Sequence, residues 1–489
     1  MRASLASSVA VACAAALALP VTLAVPATAT ARPAATGRPA GPSALPPGPD
    51  TAPSDRTEPS QDGAEPSSAG DEPPGSTRSL PLRPLGTSVR TFGTDPGAAP
   101  EQGLTRRAVS PFSLVGVVWD DPAAVLHGTV QVRTRAAADG VWSAWQDVET
   151  HNDEHGADPG TAEGASGTLR GSTAPLWVGD SDGVEIRVRA ETTDTGTDRV
   201  RLPAGLRLEL VDPGEAPADP APGTRAMAPP AALTAAEAAA SAANGQWAPA
   251  GAAVIPAETA ETAAQTGTAA APAAGTTAAA PAAAKKPYIG PRPRIITRKG
   301  WGADERLREK GFVYTKTIKA AFVHHTATGN NYRCAQAPSV LRGIYRYHVK
   351  SSGWRDFGYN FAVDRCGNIY EGRAGGVAKP VLGAHTLGFN TNSMGIAVLG
   401  SFGGSAPPAA AVTAVARLTA WKLGLHGVNP KGTQTLVSGG GNRYKKGRKV
   451  AFHAIAGHRD GFATECPGSR LYGKLGTARA SSAKYQGRR

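Results

Sequence analysis

Large apolar side chains are missing from long stretches of this 489-residue chain, where Ala, Pro, Thr and Gly stand instead; the totals of 59 Gly and 41 Pro reflect it. Such stretches cannot bury enough surface to offset chain entropy. Length alone would allow two to four domains, but the composition predicts two folded units separated by disordered linkers. The chain also lacks a second apolar run long enough to span a bilayer. The run it has, from about Val9 to Val25, follows Met1-Arg2 and precedes Ala27-Thr28-Ala29-Thr30-Ala31. This is the order of a basic n-region, an h-region and a small-residue cleavage site. Pro20 and Pro26 interrupt it and no stop-transfer flank follows, so residues 1–31 read as a signal peptide and the mature chain as secreted, without a transmembrane anchor. Cysteine is scarce: four in all, of which Cys13 leaves with the leader. Cys334, Cys366 and Cys466 remain, and an odd thiol in an exported protein needs an explanation.

Acidic residues are sparse in the C-terminal part. From Lys285 onward 34 Lys and Arg face eight Asp and Glu, a net of +26, whereas the rest carries 18 against 31, a net of −13. The basic part should favour a polyanion; for an exported chain the candidates are anionic wall polymers and membrane surfaces. No nucleic-acid-binding motif is present, so nucleic acid is not expected as a partner. Arg443, Lys445, Lys446, Arg448 and Lys449 form the densest basic cluster.

Residues 32–104 are Pro/Gly-rich and expected to be disordered. Over 105–213 the texture changes. Phe112–Trp119, Val130–Arg135, Val184–Arg189 and Leu206–Leu210 read as strands, the last three alternating with period two, and Asp139-Gly140 signals a turn. With no helical pattern between them, they predict a smaller N-terminal all-β, sandwich-like domain. His151 and His155 lie in a polar Asp/Glu/Gly loop and read as solvated; Trp142 and Trp145 read as core packing beside a hairpin. The domain is expected to be an accessory binding or spacing module. Residues 214–290 read as an Ala/Pro-rich linker, with a short helix near Leu233–Ala238.

Residues 291–476 alternate strand and helix patterns, and 477–489 read as a basic tail. Ala320–His324 reads as a buried strand. A helix should begin near Pro338 and carry Leu341, Ile344, Tyr345 and His348 at helical spacing. Asn360–Asp364 and Gly367–Glu371 suggest a hairpin, and Met394–Gly400 another strand. Pro407-Pro408 opens a helix that stops at Gly424. Val450–Ala456 reads as a last strand delivering His458. The fold class is therefore α/β for this domain, a central mixed β-sheet flanked by helices.

A helical His-Glu-x-x-His motif is absent. What is present is His458 and Cys466 in Gly457-His458-Arg459-Asp460-Gly461-Phe462-Ala463-Thr464-Glu465-Cys466-Pro467-Gly468, and far upstream Phe322-Val323-His324-His325. Two imidazoles and a thiolate are a set that zinc accepts, and three protein ligands leave a fourth position for water, as in catalytic sites. His324 and His325 are adjacent on a strand and point to opposite faces, so one of the two should reach a metal. A metal-bound Cys466 also accounts for the odd thiol and leaves Cys334 and Cys366 free to pair in an oxidising compartment.

Tyr359-Asn360-Phe361 after Gly358, Tyr370-Glu371-Gly372-Arg373, Gly383-Ala384-His385-Thr386, Asn390 and the segment from Gly457 to Gly468 closely resemble the peptidoglycan recognition protein family. Its amidase members are N-acetylmuramoyl-L-alanine amidases related to phage lysozyme-amidases. The motifs stand in family order from about Arg294 to about Gly473 and do not extend to the β domain or the linkers. The resemblance implies zinc (Zn2+) held by His324, His458 and Cys466, with Tyr359 bonding the zinc water or the oxyanion. Thr464 matches a position where phage relatives carry lysine, and His348, Trp354, His385 and Asn390 fall where the family lines its muropeptide groove. It implies hydrolysis of the amide between N-acetylmuramic acid and L-alanine of peptidoglycan, by a monomer associated with the cell wall. Other members bind peptidoglycan without cleaving it, which is the alternative.

Overall fold

The computed structural model describes residues 74–85, 101–191, 201–215, 232–258 and 288–489. The expected signal peptide, most of the expected disordered segment and residues 259–287 lie outside them. All described residues belong to one unit, Ser68–Arg489. Among them no helix is long and apolar enough to cross a membrane.

The N-terminal domain is all-β. Its strands are β1 (Ser76–Pro81), β2 (Arg83–Pro84), β3 (Glu101–Trp119), β4 (Gly128–Ala136), β5 (Gln146–Val148), β6 (Gly171–Ser172), β7 (Leu176–Ala190) and β8 (Arg207–Asp212). All pairs are antiparallel, in the order β1-β8-β3-β7-β4-β5, with β2 and β6 also on β3. Register shifts interrupt the long β3–β7 pairing between Leu104 and Leu114. Val130 and Val132 of β4, Val184, Ile186 and Val188 of β7, and Leu208 and Leu210 of β8 fill one core with Val115, Val117 and Trp119 of β3. The four expected strands are all found. The domain also begins earlier than expected: β1 pairs with β8 from Ser76 to Pro81, upstream of residue 105. Ser-Thr-Arg-Ser-Leu-Pro is too short and polar to stand out from its Pro/Gly-rich surroundings. Trp142 and Trp145 are not in the core as expected; both are half-buried, under Arg106 and under Arg133 and Arg187 respectively. Arginine covers the indole faces there by cation–π contact.

The C-terminal domain is α/β, with a mixed sheet in the order β17-β11-β14-β12-β13-β10-β9. These are β9 (Val254–Ile255), β10 (Ile295–Ile296), β11 (Ala320–His325), β12 (Phe361–Val363), β13 (Ile369–Glu371), β14 (Ser393–Val398) and β17 (Ile455–Gly457). A separate hairpin pairs β15 (Thr433–Val437) with β16 (Lys449–His453). The helices are α1 (Ala235–Ala242), α2 (Arg298–Trp301), α3 (Ala337–Arg346, prolonged by a π-turn through Ser351), α4 (Ala409–Leu425), α5 (His458–Gly461), α6 (Ser469–Tyr472) and α7 (Leu475–Tyr485). Phe361, Val363, Ile396 and Val398 face α4, packing on Val415, Leu418 and Trp421. Ala362 and Ala397, one residue on, face Val340, Leu341 and Ile344 of α3. Cys334 and Cys366 form a disulfide.

Three differences from the sequence reading have local causes. Part of the expected linker is structured: Thr234 and Glu237 form a capping box on α1, and β9 extends the central sheet at β10. The expected strand Val450–Ala456 divides at Ala454, whose N–H bonds to the Gly432 carbonyl as the chain passes from hairpin to sheet. Finally, α7 runs through most of the expected basic tail. Its small residues Ala478 and Ser482 are buried, and Ser482 shares a hydrogen bond with Thr419 of α4 (3.0 Å).

The β domain is seated on α3. Leu114 and Val118 of β3, Trp177 of β7 and Val211 of β8 join Leu341, Ile344 and Tyr347 in a single apolar cluster. The buried Tyr347 hydroxyl is within hydrogen-bond distance of the carbonyls of Thr173 (3.1 Å) and Val117 (3.3 Å). Ser351 donates to Glu209 at 2.9 Å. The C-terminal part of β3, from Phe112, is thus buried on both faces, because one meets the β domain's own core and the other the C-terminal domain.

Candidate metal centre

Parallel strands β11 and β17 lie side by side, so the residues leaving their C-terminal ends converge. His324 is the fifth residue of β11, and His458 follows β17 directly. The loop after α5 returns Cys466 to the same point. The donor atoms of His324, His458, Cys466 and His155 all lie within 4.8 Å of one another. The Cys466 Sγ stands 3.8 Å from His324 Nδ1 and 4.0 Å from His155 Nε2. His325 points away from this group, its Nδ1 accepting from the Phe402 N–H at 3.4 Å.

His155 corrects the sequence reading. Its neighbour His151 is exposed, with 70% of its side chain accessible, but the His155 side chain is only 6% accessible. The loop between β5 and β6 carries it across the domain boundary, so its ring packs 4.6 Å from His458 and 5.3 Å from His324. The position expected to be open to water therefore faces a fourth protein donor. The β domain is more than a spacer, since it contributes directly to this site.

A metal ion fits these residues. Tetrahedral ligands at zinc distances lie roughly 3.3–3.8 Å apart; the Cys466 Sγ separations of 3.8 and 4.0 Å approach this, within a group that spans up to 4.8 Å. Both ring nitrogens of His458 and the Nδ1 of His155 are buried with no hydrogen-bond partner among the described residues. Leaving buried polar atoms unmatched is costly, and coordination would satisfy one of the two His458 nitrogens. Burial, reinforced by neighbouring imidazoles, holds His324 and His458 well below the usual histidine range, and burial pushes His155 down to about 3. All three are therefore neutral, the form that ligates. Burial raises the Cys466 thiol; a divalent cation would reverse this by stabilising the thiolate.

The surroundings orient these groups. His324 Nε2 is 3.4 Å from Thr386 Oγ1, which is 3.0 Å from His385 Nδ1. Asn390 Oδ1 accepts from the N–H groups of both His385 and Thr386. His385 and Asn390 stand behind His324 as its outer support, and Asn390 also lines the cavity beside Arg373 and Asp356. Thr386 belongs to this support; the sequence showed it only as part of the Gly383-Ala384-His385-Thr386 motif, with no role of its own. His348 stacks on Trp354 with ring centres 4.3 Å apart and accepts from the Gly358 N–H at 3.3 Å. Tyr359 is buried, 5.2 Å from the His324 ring, and burial raises its hydroxyl well above the usual tyrosine range. It is therefore a proton donor at neutral pH. Thr464 accepts from the Cys466 N–H (3.0 Å) and donates to the buried Glu154 carboxylate (2.7 Å).

The β5–β6 loop covers this cleft. Arg373 makes a bidentate pair with Glu163 at 2.8 and 2.9 Å. Asp158 Oδ1 accepts from the Gly388 N–H (2.8 Å) and Asn390 Nδ2 (2.7 Å). The cavity left beside His155, Tyr359 and Cys466 measures about 20 Å³, roughly the space of one water.

Residues 314–469 match the family described as N-acetylmuramoyl-L-alanine amidase, and residues 60–224 the one described as Rv3811 N-terminal galactose-binding domain-like. The chain is 30% identical over 185 residues to peptidoglycan-recognition protein SC2 of Drosophila melanogaster, covering 37% of this chain and 85% of the relative. It is 31% identical over 190 residues to N-acetylmuramoyl-L-alanine amidase of Homo sapiens, covering 38% of this chain and 28% of that protein. Among solved structures, peptidoglycan recognition protein LE in complex with tracheal cytotoxin is 30% identical. That match covers 37% of this chain and 92% of the other, with a TM-score of 0.30.

Proposed function

Because the chain belongs to the peptidoglycan recognition and N-acetylmuramoyl-L-alanine amidase family, we propose that it is an exported zinc amidase of the cell wall. It would hydrolyse the amide bond between N-acetylmuramic acid and the L-alanine of the stem peptide. The observation that carries this reading is the convergence of His324, His458 and Cys466, buried and from separate segments, beside the protonated Tyr359.

His324, His458 and Cys466 would hold the ion. Zinc in such a site supplies a bound water of pKa near ~7 and polarises a carbonyl. Tyr359 donates a hydrogen bond to the oxyanion that develops on the lactyl carbonyl, the charge that builds up in the transition state. Thr464 fixes the Cys466 loop through the Cys466 N–H. His385, Thr386 and Asn390 hold the His324 ring in its orientation. His348 and Trp354 form a stacked wall. The Arg373 guanidinium, which grips a carboxylate in the folded chain, offers the same bidentate chemistry to a carboxylate of the stem peptide.

Digestion of defined peptidoglycan with mass identification of the fragments tests the reading. Stem peptides with a free L-alanine amine and glycan with an intact lactyl acid are expected. Products of cleavage elsewhere would refute it. The absence of any cleavage, both by the native chain and by a variant with the cleft uncovered, would favour the non-catalytic peptidoglycan-binding alternative.

A further inference from the structure

We infer that His155 of the β domain is the fourth ligand of the metal centre, so that the chain as folded holds its ion in a closed shell of three histidines and one cysteine and stays latent until the β5–β6 loop withdraws. The coordination stands on geometry alone; the latency rests on the amidase reading. His155 and Cys466 are 311 residues apart in sequence, yet their Nε2 and Sγ lie 4.0 Å apart. The His155 side chain is only 6% accessible, and a loop histidine enters such an environment at a cost that a metal bond to its Nε2 would offset. Three protein ligands leave room for a reacting water, whereas four close the site.

The loop is built to stay there. Glu154 accepts from Thr464, Asp158 from Gly388 and Asn390, and Glu163 from Arg373. The Glu154 carbonyl also accepts from the Leu387 N–H (3.0 Å), and Thr168 donates to the Gly353 carbonyl (3.0 Å). These anchors are polar, whereas the β domain's seat on α3 is an apolar cluster that borders the site at Ile344 and Tyr359 and includes none of the anchoring residues. The loop can therefore lift while the domain stays docked. Its carboxylates occupy the donors that an anionic stem peptide would need, so loop and substrate compete.

The test uses the full chain with cobalt(II) in place of zinc, titrated with azide and followed by visible absorption. X-ray absorption of the zinc form counts the ligands. The native protein should show three nitrogens and one sulfur and a spectrum indifferent to azide. His155→Ala should exchange one nitrogen for a water oxygen and give an azide-dependent band shift. The double variant Asp158→Asn/Glu163→Gln keeps all four donors and should gain an intermediate azide response, which covers the case that His155→Ala folds poorly. Turnover of a soluble muropeptide should rise ~10-fold or more in His155→Ala, since a site closed about 90% of the time withholds that factor. A native spectrum that shifts with azide as far as that of His155→Ala would overturn the coordination. Equal turnover in the two would overturn the latency. The expected spectra without cleavage by any form would keep His155 as ligand and remove the amidase reading.

Discussion

At the scale of single residues, the chemistry is concentrated in a few buried side chains whose environments are set by desolvation. Cys466 lies in a loop outside the central sheet, so Cys466→Ser should keep the native circular dichroism but bind zinc more weakly, through the three remaining imidazoles. An unchanged zinc affinity, by competition with a chelator, would remove Cys466 as a ligand. His325→Ala should keep zinc, because its ring bonds the Phe402 N–H and faces away from the cluster. Tyr359→Phe should also keep zinc but lower turnover by ~10²–10³, the usual loss for one oxyanion donor. Steady-state kinetics on the uncovered cleft would show this, and unchanged turnover would remove Tyr359 from the mechanism. The convergence of His324, His458 and Cys466 was legible because each sits in a short segment with distinctive neighbours. Thr386 was not, because its role depends on a strand and a loop meeting behind His324.

At the scale of elements, period-two and helical spacing identified most strands and helices but not their partners. The β15–β16 hairpin is an example. Its turn carries Arg443, Lys445, Lys446 and Arg448, with Lys449 opening β16, and all five are exposed. None of the five belongs to the proposed metal ligands. Neutralising them should weaken retention on anionic wall material at low salt yet leave cleavage of a small soluble muropeptide unchanged. Retention by the native chain should fall steeply with salt, since exposed charges are screened over ~8–10 Å at physiological ionic strength. Retention indifferent to both changes would assign anchoring to the cleft or the β domain. The disulfide was legible from cysteine arithmetic, since an odd thiol committed to a metal leaves one pair. The Val450–Ala456 segment was not, because an apolar run does not reveal that the chain changes sheets at Ala454.

At the scale of the whole molecule, the decisive feature is the docking of the β domain. Gly116 of β3 packs against the Tyr347 ring so closely that a Cβ there would collide with it. Gly116→Val should therefore strain the seat and cost ~1–3 kcal/mol, typical of overpacking, measured by denaturant unfolding of the full chain. Stability equal to the native protein would mean that the contact is not tight. The acidic surplus of the N-terminal part and the basic surplus of the C-terminal part take on a second meaning here: Glu163 meets Arg373, and Glu154 and Asp158 bond cleft groups of the basic domain. The sequence by itself determined the two domain types, the paired cysteines and three of the four donors, because periodicity and motif spacing are local properties of the chain. One cue to docking was also present, the run Leu114–Trp119 without a polar side chain, which reports burial on both faces but not what covers the second. Only the tertiary structure decided that α3 covers it and that His155 joins the donor cluster. A loop donor's neighbours depend on how two separately patterned surfaces pack, and that long-range geometry leaves no periodic trace in the residues around it.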